Sequence, residues 1–194
     1  ATGDRLTELK LVFRHTFLQY ALITITAVLF LSYQDFSLKG CYRFFFYLVV
    51  VAFGEEIIYR GYIYNTLRRY NRALAILVSG FFWGITHAIL PGLLSGWSFG
   101  RTMIAMFSEV GGGIVMGGYF IYLLEKSQTL FVPVFVHAIL NYSTGYIGTF
   151  AAIAIGVYLF FLDRWKFGRF HWKASRHFYP KELSNRPDSK WFEI

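Results

Sequence analysis

Residues 73–90 read ALAILVSGFFWGITHAIL and contain no Asp, Glu, Lys or Arg. An apolar run of this length is long enough to cross the roughly 30 Å hydrocarbon core of a membrane as an α-helix. Near its end the run holds one histidine, His87. The stretch therefore predicts a transmembrane helix that carries a polar group.

Further apolar stretches flank this run on both sides, with short polar or glycine-containing breaks between them. They cover residues 16–32, 44–66, 103–124, 130–146 and 147–162. We expect Pro91 and Gly92 to end the helix that contains His87, because proline lacks the N–H of an interior helix position. The pattern predicts an all-α fold, a polytopic transmembrane helical bundle of about six spans.

The composition also favours a membrane environment. Of the 194 residues, 56% are hydrophobic and 15% are charged, whereas soluble domains are about 25% charged. This balance argues against a soluble enzyme, a disordered protein and a nucleic-acid-binding module, despite the net charge of +8. Six spans of about 20 residues each leave too little chain for a second domain with its own core.

The basic residues segregate in this layout. With six spans, 15 of the 19 lysines and arginines lie on one side of the membrane, and Arg60 falls inside a span. By the positive-inside rule, both termini are then cytoplasmic. The small size and the basic C-terminal segment fit an integral protein of a bacterial inner membrane.

Two regions follow from this layout. Residues 1–162 form the transmembrane domain, and residues 163–194 form a cytoplasmic tail in which basic and aromatic residues alternate. Such a tail can place its rings at the headgroup level and its cations against anionic lipids. RNA also suits this chemistry, but the position beside the last span favours lipids, so no nucleic-acid partner is expected.

Glycines cluster in the stretch 103–124, at 111–113 and again at 117 and 118. No strand or lysine accompanies them, as a phosphate-binding loop would need. We interpret Gly113 and Gly117 as a small-residue face for close helix packing.

Charged residues inside the second stretch need an explanation, since a charge at mid-bilayer costs at least ~2.5–3.5 kcal/mol. Glu56 and Arg60 are four residues apart and can pair on one helix face. Glu55 points about 100° away in an α-helix of 3.6 residues per turn, toward a different neighbour. A purely structural ion-pair cluster accounts for Glu56 and Arg60 but leaves Glu55 unpaired.

Two later stretches each carry a polar pair one helical turn apart. Trp83 precedes His87 by four residues, and His137 precedes Asn141 by four. Alone, each pair is consistent with an ordinary core histidine or an interhelical hydrogen bond. Together with Glu55, they suggest one shared polar cavity with the groups that hydrolysis needs: a base for water and donors for an oxyanion.

These motifs, in this order, resemble those of the CPBP family of intramembrane proteases, which includes CAAX prenyl endoproteases and bacteriocin-processing and self-immunity proteins. The EExxxR motif matches residues 55–60, FxxxH matches residues 83–87 with Trp83 in place of phenylalanine, and HxxxN matches residues 137–141. The likeness covers about residues 48–145.

The resemblance implies an intramembrane endopeptidase that cleaves a membrane-embedded or lipid-associated protein or peptide. In this interpretation Glu55 and His87 activate water, His137 and Asn141 stabilise the oxyanion, and Glu56 and Arg60 support the site. No cofactor is favoured, because asparagine is a poor zinc ligand and a good oxyanion donor. If the enzyme is metal-dependent, Glu55, His87 and His137 are the expected zinc ligands.

Two other classes stay open at this point. One is a non-catalytic membrane protein, an immunity factor or scaffold that retains the cavity. The other is a proton-coupled transporter, in which intramembrane carboxylates and histidines are also expected. The absence of an internal repeat in the sequence makes the transporter the weaker of the two.

Overall fold

The computed structural model describes residues 9–13, 16–33, 37–142 and 146–167. Within these ranges every regular element is a helix and no strand is present, which confirms the all-α prediction. The helical segments, in chain order, are α1 (Phe17–Tyr33), α2 (38–67), α3 (Arg72–Leu94), α4 (Phe99–Ser127), α5 (Phe131–Tyr142) and α6 (Tyr146–Phe167). Each predicted apolar stretch corresponds to one of these helices.

The helix starts are determined by capping side chains rather than by the first apolar residue. α2 begins at Leu38, six residues before the predicted stretch, because Ser37 Oγ accepts a hydrogen bond from the Gly40 amide at 3.1 Å. Asn71 caps α3 in the same way, at 3.0 Å from the Leu74 amide. Such caps satisfy amides that have no partner inside the helix.

The prediction that Pro91 ends the helix after His87 is wrong. α3 continues to Leu94 with Pro91 inside it, and the Pro91 carbonyl still accepts a hydrogen bond from the Ser95 amide at 2.9 Å. The chain leaves the helix at Gly96, whose φ of +62° is a left-handed conformation that glycine adopts without steric cost. One missing N–H was therefore not enough to stop this helix.

Two helices, α3 and α4, are long and apolar enough to cross a membrane by length and composition. Shorter apolar helices cover Phe17–Ser32, Phe131–Asn141 and Tyr146–Leu162. The structure thus agrees with a helical membrane protein.

α2 is not a uniform α-helix. Two wide π-helical segments, Phe46–Phe53 and Ile57–Tyr64, flank a short α-helical turn, Gly54–Glu56. π-helical turns are rare and frequently occur at functional sites. The turn between the two wide segments carries both adjacent carboxylates, Glu55 and Glu56.

Four helices share an apolar core. Its fully buried members come from α2, α3, α4 and α5 and the residue before α5: Ala52, Tyr64, Ala75, Ile121, Leu124, Leu130, Val134 and Ala138. The segment 9–13 is joined to the turn before α5, because the Leu130 amide donates to the Lys10 carbonyl at 3.0 Å and Thr129 Oγ1 donates to the Val12 carbonyl at 2.7 Å. These bonds tie the segment before α1 to the start of α5.

The chain divides into two compact units, residues 1–159 and residues 160–194. All helices and contacts analysed below belong to the first unit. The predicted basic aromatic tail, residues 163–194, lies outside the described residues from position 168 onward. The predicted boundary after residue 162 stays a prediction.

α3 and α4 pack backbone against backbone through glycines. A Cβ atom added at Gly80 would lie 2.5 Å from the Ile114 Cα, and one added at Gly113 would lie 2.5 Å from the Gly80 carbonyl oxygen. Gly84 is equally tight, against the Glu109 carbonyl. The small-residue face predicted for Gly113 is therefore present, and it lets the two helix axes approach closely.

We expect Gly113→Ala to lower the free energy of unfolding by about 1–3 kcal/mol, the range for overpacking a tight contact. The added methyl group would meet the backbone of Gly80 and Gly84, which cannot move aside as a side chain can. The measurement is denaturant unfolding of the purified protein in detergent micelles.

Gly112→Ala is the matched control, because nothing lies within 4 Å of a Cβ at that position. Alanine favours a helix over glycine by about 1 kcal/mol, so this variant should be as stable as the parent or slightly more stable. Equal stability of the two variants would contradict the close packing of α3 and α4 at Gly113.

Candidate active site

A buried ion pair closes one side of a polar cluster that consists of Glu55, Glu56, Arg60, His87 and His137. Arg60 Nη1 lies 3.0 Å from Glu56 Oε1, and both side chains are fully buried. The same oxygen accepts a hydrogen bond from His137 Nδ1 at 2.9 Å. The i,i+4 pair predicted on α2 is therefore present, and it ties α2 to α5 through His137.

Aromatic rings surround the buried guanidinium. Arg60 Cζ lies 4.5 Å from the ring centroid of Trp83 and 4.9 Å from that of Phe120. Phe120 also stacks on the ring of His137, with centroids 5.0 Å apart. Cation–π contacts of this kind are worth about 2 kcal/mol or more when the cation is desolvated, so they offset part of the cost of burying Arg60.

The buried pair is not fully satisfied. Among the described side chains, three atoms of the pair have no hydrogen-bonding partner: Glu56 Oε2, Arg60 Nε and Arg60 Nη2. An incompletely satisfied ion pair contributes little net stability. Its presence is thus better explained by what it holds in place than by stabilisation of the fold.

Glu55 lies beside this pair but faces α3. Its Oε2 atom accepts a hydrogen bond from the Trp83 indole Nε1 at 2.6 Å. The Nε2 atoms of His87 and His137 lie 3.9 Å and 3.8 Å from the same oxygen. The adjacent carboxylates therefore have different neighbours, as their positions on the helix predicted.

The partners of the two histidines indicate their tautomers. His87 Nδ1 lies 2.9 Å from the Trp83 carbonyl oxygen, which can only accept, so Nδ1 carries a proton. His137 Nδ1 likewise donates to the Glu56 carboxylate. In the neutral form of either ring, Nε2 is left with its lone pair on the side of Glu55.

Exposure differs sharply across the cluster. The side chains of Glu55 and His87 are 27% and 39% exposed, whereas that of His137 is 5% exposed and those of Glu56 and Arg60 are fully buried. One carboxylate and one imidazole are thus accessible from outside. The other three groups form the closed side of the same site.

Hydrogen bonds between α2 and α3 hold this arrangement. Ser79 Oγ donates to the Tyr59 carbonyl at 2.8 Å, and the Tyr59 hydroxyl lies 2.8 Å from Thr86 Oγ1. Nearer the helix ends, Glu125 on α4 accepts two bonds from Arg72, at 3.0 and 2.8 Å, and one from the Tyr64 hydroxyl. α2 is therefore joined to α3 beside the cluster, and α2, α3 and α4 are joined at Glu125.

Asn141, the last of the residues singled out from the sequence, is not joined to the others. It lies one turn beyond His137 on α5 and is exposed. None of the described hydrogen bonds connects it to Glu55, Glu56, Arg60, His87 or His137. The roles assigned to all these residues stay predictions.

Sequence reasoning missed two aromatic contributions. The spacing to His87 drew attention to Trp83, but nothing in it indicated that the indole N–H would bond Glu55. Phe120 gave no signal, because one more phenylalanine in an apolar helix looks like core. Only its contacts with Arg60 and His137 identify its place in the site.

The atoms that would hold a metal are Glu55 Oε2 and the Nε2 atoms of His87 and His137. Within the described ranges, however, no group of three or more His, Cys, Asp or Glu side chains is arranged to hold a metal ion. Glu55 Oε2 is already engaged by the Trp83 indole at 2.6 Å. In the described arrangement, Glu55, His87 and His137 therefore do not form such a group.

Comparison with known proteins agrees with the motifs. No curated protein and no solved structure matches the chain. A family model described as type II CAAX prenyl endopeptidase, Rce1-like, matches residues 37–143, a region that runs from the start of α2 to the end of α5 and contains the whole cluster. This family comprises membrane endopeptidases. Because the match covers more than half of the 194 residues and agrees with the resemblance found in three motifs, the chain belongs to the Rce1-like type II CAAX prenyl endopeptidase family.

Proposed function

We propose that the protein is an intramembrane endopeptidase in which Glu55 and His87 activate water for attack on a peptide bond. The observation that carries the proposal is the convergence of the accessible Glu55 carboxylate with the Nε2 atoms of His87 and His137, at 3.9 and 3.8 Å. A carboxylate that faces two imidazoles can take part in acid–base hydrolysis. The buried ion pair encloses the other side of this site.

The reaction begins with a water molecule that donates its hydrogens to Glu55 and to His87 Nε2. As the water oxygen bonds to the carbonyl carbon of the substrate, Glu55 takes a proton, and the carbonyl electrons move to the oxygen. When the C–N bond breaks, Glu55 returns this proton to the leaving nitrogen. The products are a free carboxyl group and a free amine, and Glu55 ends ionised as it began.

His137 and Asn141 are proposed to stabilise the oxyanion. Two carboxylates and one arginine leave the cluster with one excess negative charge, which a protonated His137 would balance. In that imidazolium form Nδ1 donates to Glu56 and Nε2 is free to donate to the oxyanion. The Asn141 amide is proposed as a second donor, from the exposed side of α5, and one oxyanion donor is typically worth 10²–10³-fold in kcat.

Glu56 and Arg60 are proposed to support the site without touching the substrate, since both are fully buried. Glu56 orients the His137 ring and Arg60 holds Glu56. The substrate is proposed to be a membrane-embedded or lipid-associated protein or peptide, because such a chain can reach Glu55 and His87 without leaving the bilayer.

We further propose that the bundle has six spans, with both termini in the cytoplasm of a bacterium and the protein in its inner membrane. The segregation of the basic residues supports this topology. The basic aromatic tail would then lie on the anionic inner leaflet.

Glu55→Gln should lower kcat by about 10²–10⁴-fold, the usual contribution of a general base, because an amide cannot take the proton from water. The assay uses quenched fluorogenic peptides in liposomes, one with a farnesylated cysteine four residues from its C-terminus and one without the lipid. Asn141→Ala should lower kcat less, because one oxyanion donor remains in His137.

Glu109→Gln is the matched control, since Glu109 is an exposed carboxylate on α4 outside the cluster, and it should cleave at the parental rate. Full activity of Glu55→Gln would contradict the proposed mechanism. The immunity or scaffold interpretation would be favoured instead if the parent cleaves neither peptide and the phenotype of cells that express the protein is unchanged by Glu55→Gln.

Cleavage should persist when zinc is removed. We expect the parental rate after treatment with 1,10-phenanthroline and dialysis, with less than one zinc per ten protein chains by elemental analysis, on the order of trace contamination. Loss of activity that returns on addition of Zn²⁺ would show that the reaction depends on the metal.

The topology predicts opposite labelling of two turns. In a Cys41→Ser background, Ser95→Cys should react with a membrane-impermeant maleimide on spheroplasts, whereas Tyr70→Cys should react only after lysis. Both positions are exposed in the turns between helices. Labelling of both from the same side would rule out a membrane-spanning α3.

A further inference from the structure

Trp83 makes two kinds of contact in the cluster at once. Its indole Nε1 donates to Glu55 Oε2 at 2.6 Å, and the face of its ring lies 4.5 Å from the Arg60 guanidinium. The side chain is buried, with 8% of its surface exposed. One residue of α3 thus touches both halves of the polar cluster on α2.

The hydrogen bond from Trp83 restricts the rotamers of the Glu55 side chain. Glu55 is partly exposed, and no other hydrogen bond to its carboxylate is described, because the two imidazole Nε2 atoms are 3.8 and 3.9 Å away. A carboxylate on three rotatable bonds samples several rotamers unless a partner selects one. The indole N–H is that partner, and it engages Oε2 while leaving Oε1 without a described bond.

We propose that Trp83 is a positioning residue for Glu55: its indole N–H fixes the carboxylate so that the remaining lone pairs face the site of the attacking water. The inference rests on the proposed function, because it assigns Glu55 the role of base. It goes beyond that function in naming the group that orients the base.

The role of the Trp83 N–H can be separated from that of its ring. This chain has tryptophan where the FxxxH motif has phenylalanine, and phenylalanine has no hydrogen-bond donor. Aromatic packing on Arg60 and the edge contact with His87, at 4.6 Å between centroids, require only a ring. The hydrogen bond to Glu55 requires the indole.

Trp83→Phe therefore tests the N–H while keeping an aromatic face. We expect kcat for the fluorogenic peptides to fall about tenfold, as for loss of a hydrogen bond to a charged group, with KM unchanged. Trp97→Phe is the matched control, since the Trp97 ring stacks on Arg101 at 4.4 Å away from the cluster, and it should leave both constants unchanged.

A spectroscopic arm tests the hydrogen bond without any substrate. In ¹H–¹⁵N spectra of the full chain in micelles, the indole resonance lost in Trp83→Phe identifies Trp83. Glu55→Gln should move that resonance upfield, because a neutral amide is a weaker acceptor than a carboxylate. Glu109→Gln should leave it in place.

The outcomes separate the two proposals. An unmoved indole resonance in Glu55→Gln, or a parental kcat in Trp83→Phe, overturns the positioning role. A tenfold fall in kcat at constant KM together with the upfield shift supports it. If the parent cleaves neither peptide while the resonance still shifts, the proposed function fails and the hydrogen bond between Trp83 and Glu55 is supported.

Discussion

The arrangement of the site depends on one constraint: Glu56 and Arg60 carry opposite charges where neither is exposed to solvent. Two desolvated charges must stay together, because separating them would leave an unpaired charge in a medium of low dielectric constant. The neighbours of the pair follow from this requirement. His137 donates to Glu56 from α5, while Trp83 and Phe120 cover Arg60 from α3 and α4. Four helices therefore converge on one ion pair, and Glu55 lies at the edge of that convergence because it directly precedes Glu56 in the chain.

The same pair explains how adjacent carboxylates acquire different properties. Glu56 is enclosed and shared between a guanidinium and an imidazole, whereas Glu55 is partly exposed and bonded only to an indole in the described structure. The short α-helical turn between two π-helical segments directs them to different neighbours. A buried carboxylate and an accessible one thus occupy adjacent positions in the sequence. This division fits a site in which Glu56 orients its neighbours and Glu55 exchanges protons.

Much of this could be predicted from the sequence, because the relevant signals are local. Apolar runs predicted the helices, and the i,i+4 spacing predicted the pairing of Glu56 with Arg60. The partners that come from distant segments could not be predicted from spacing. The bond between His137 and Glu56 joins residues 81 positions apart, and the Trp83 indole is an ordinary aromatic residue until its N–H is placed. Helix ends were missed where a single capping group decided them, at Ser37 and at Gly96.

The glycine contact between α3 and α4 has a consequence for motion. Where side chains lie between two packed helices, the helices can slide past each other by small shear movements. At Gly80 and Gly113 backbone meets backbone, so at this crossing no side chain between α3 and α4 can change its rotamer, and the two helices should move as one unit. The position of His87 on α3 would then be fixed relative to α4.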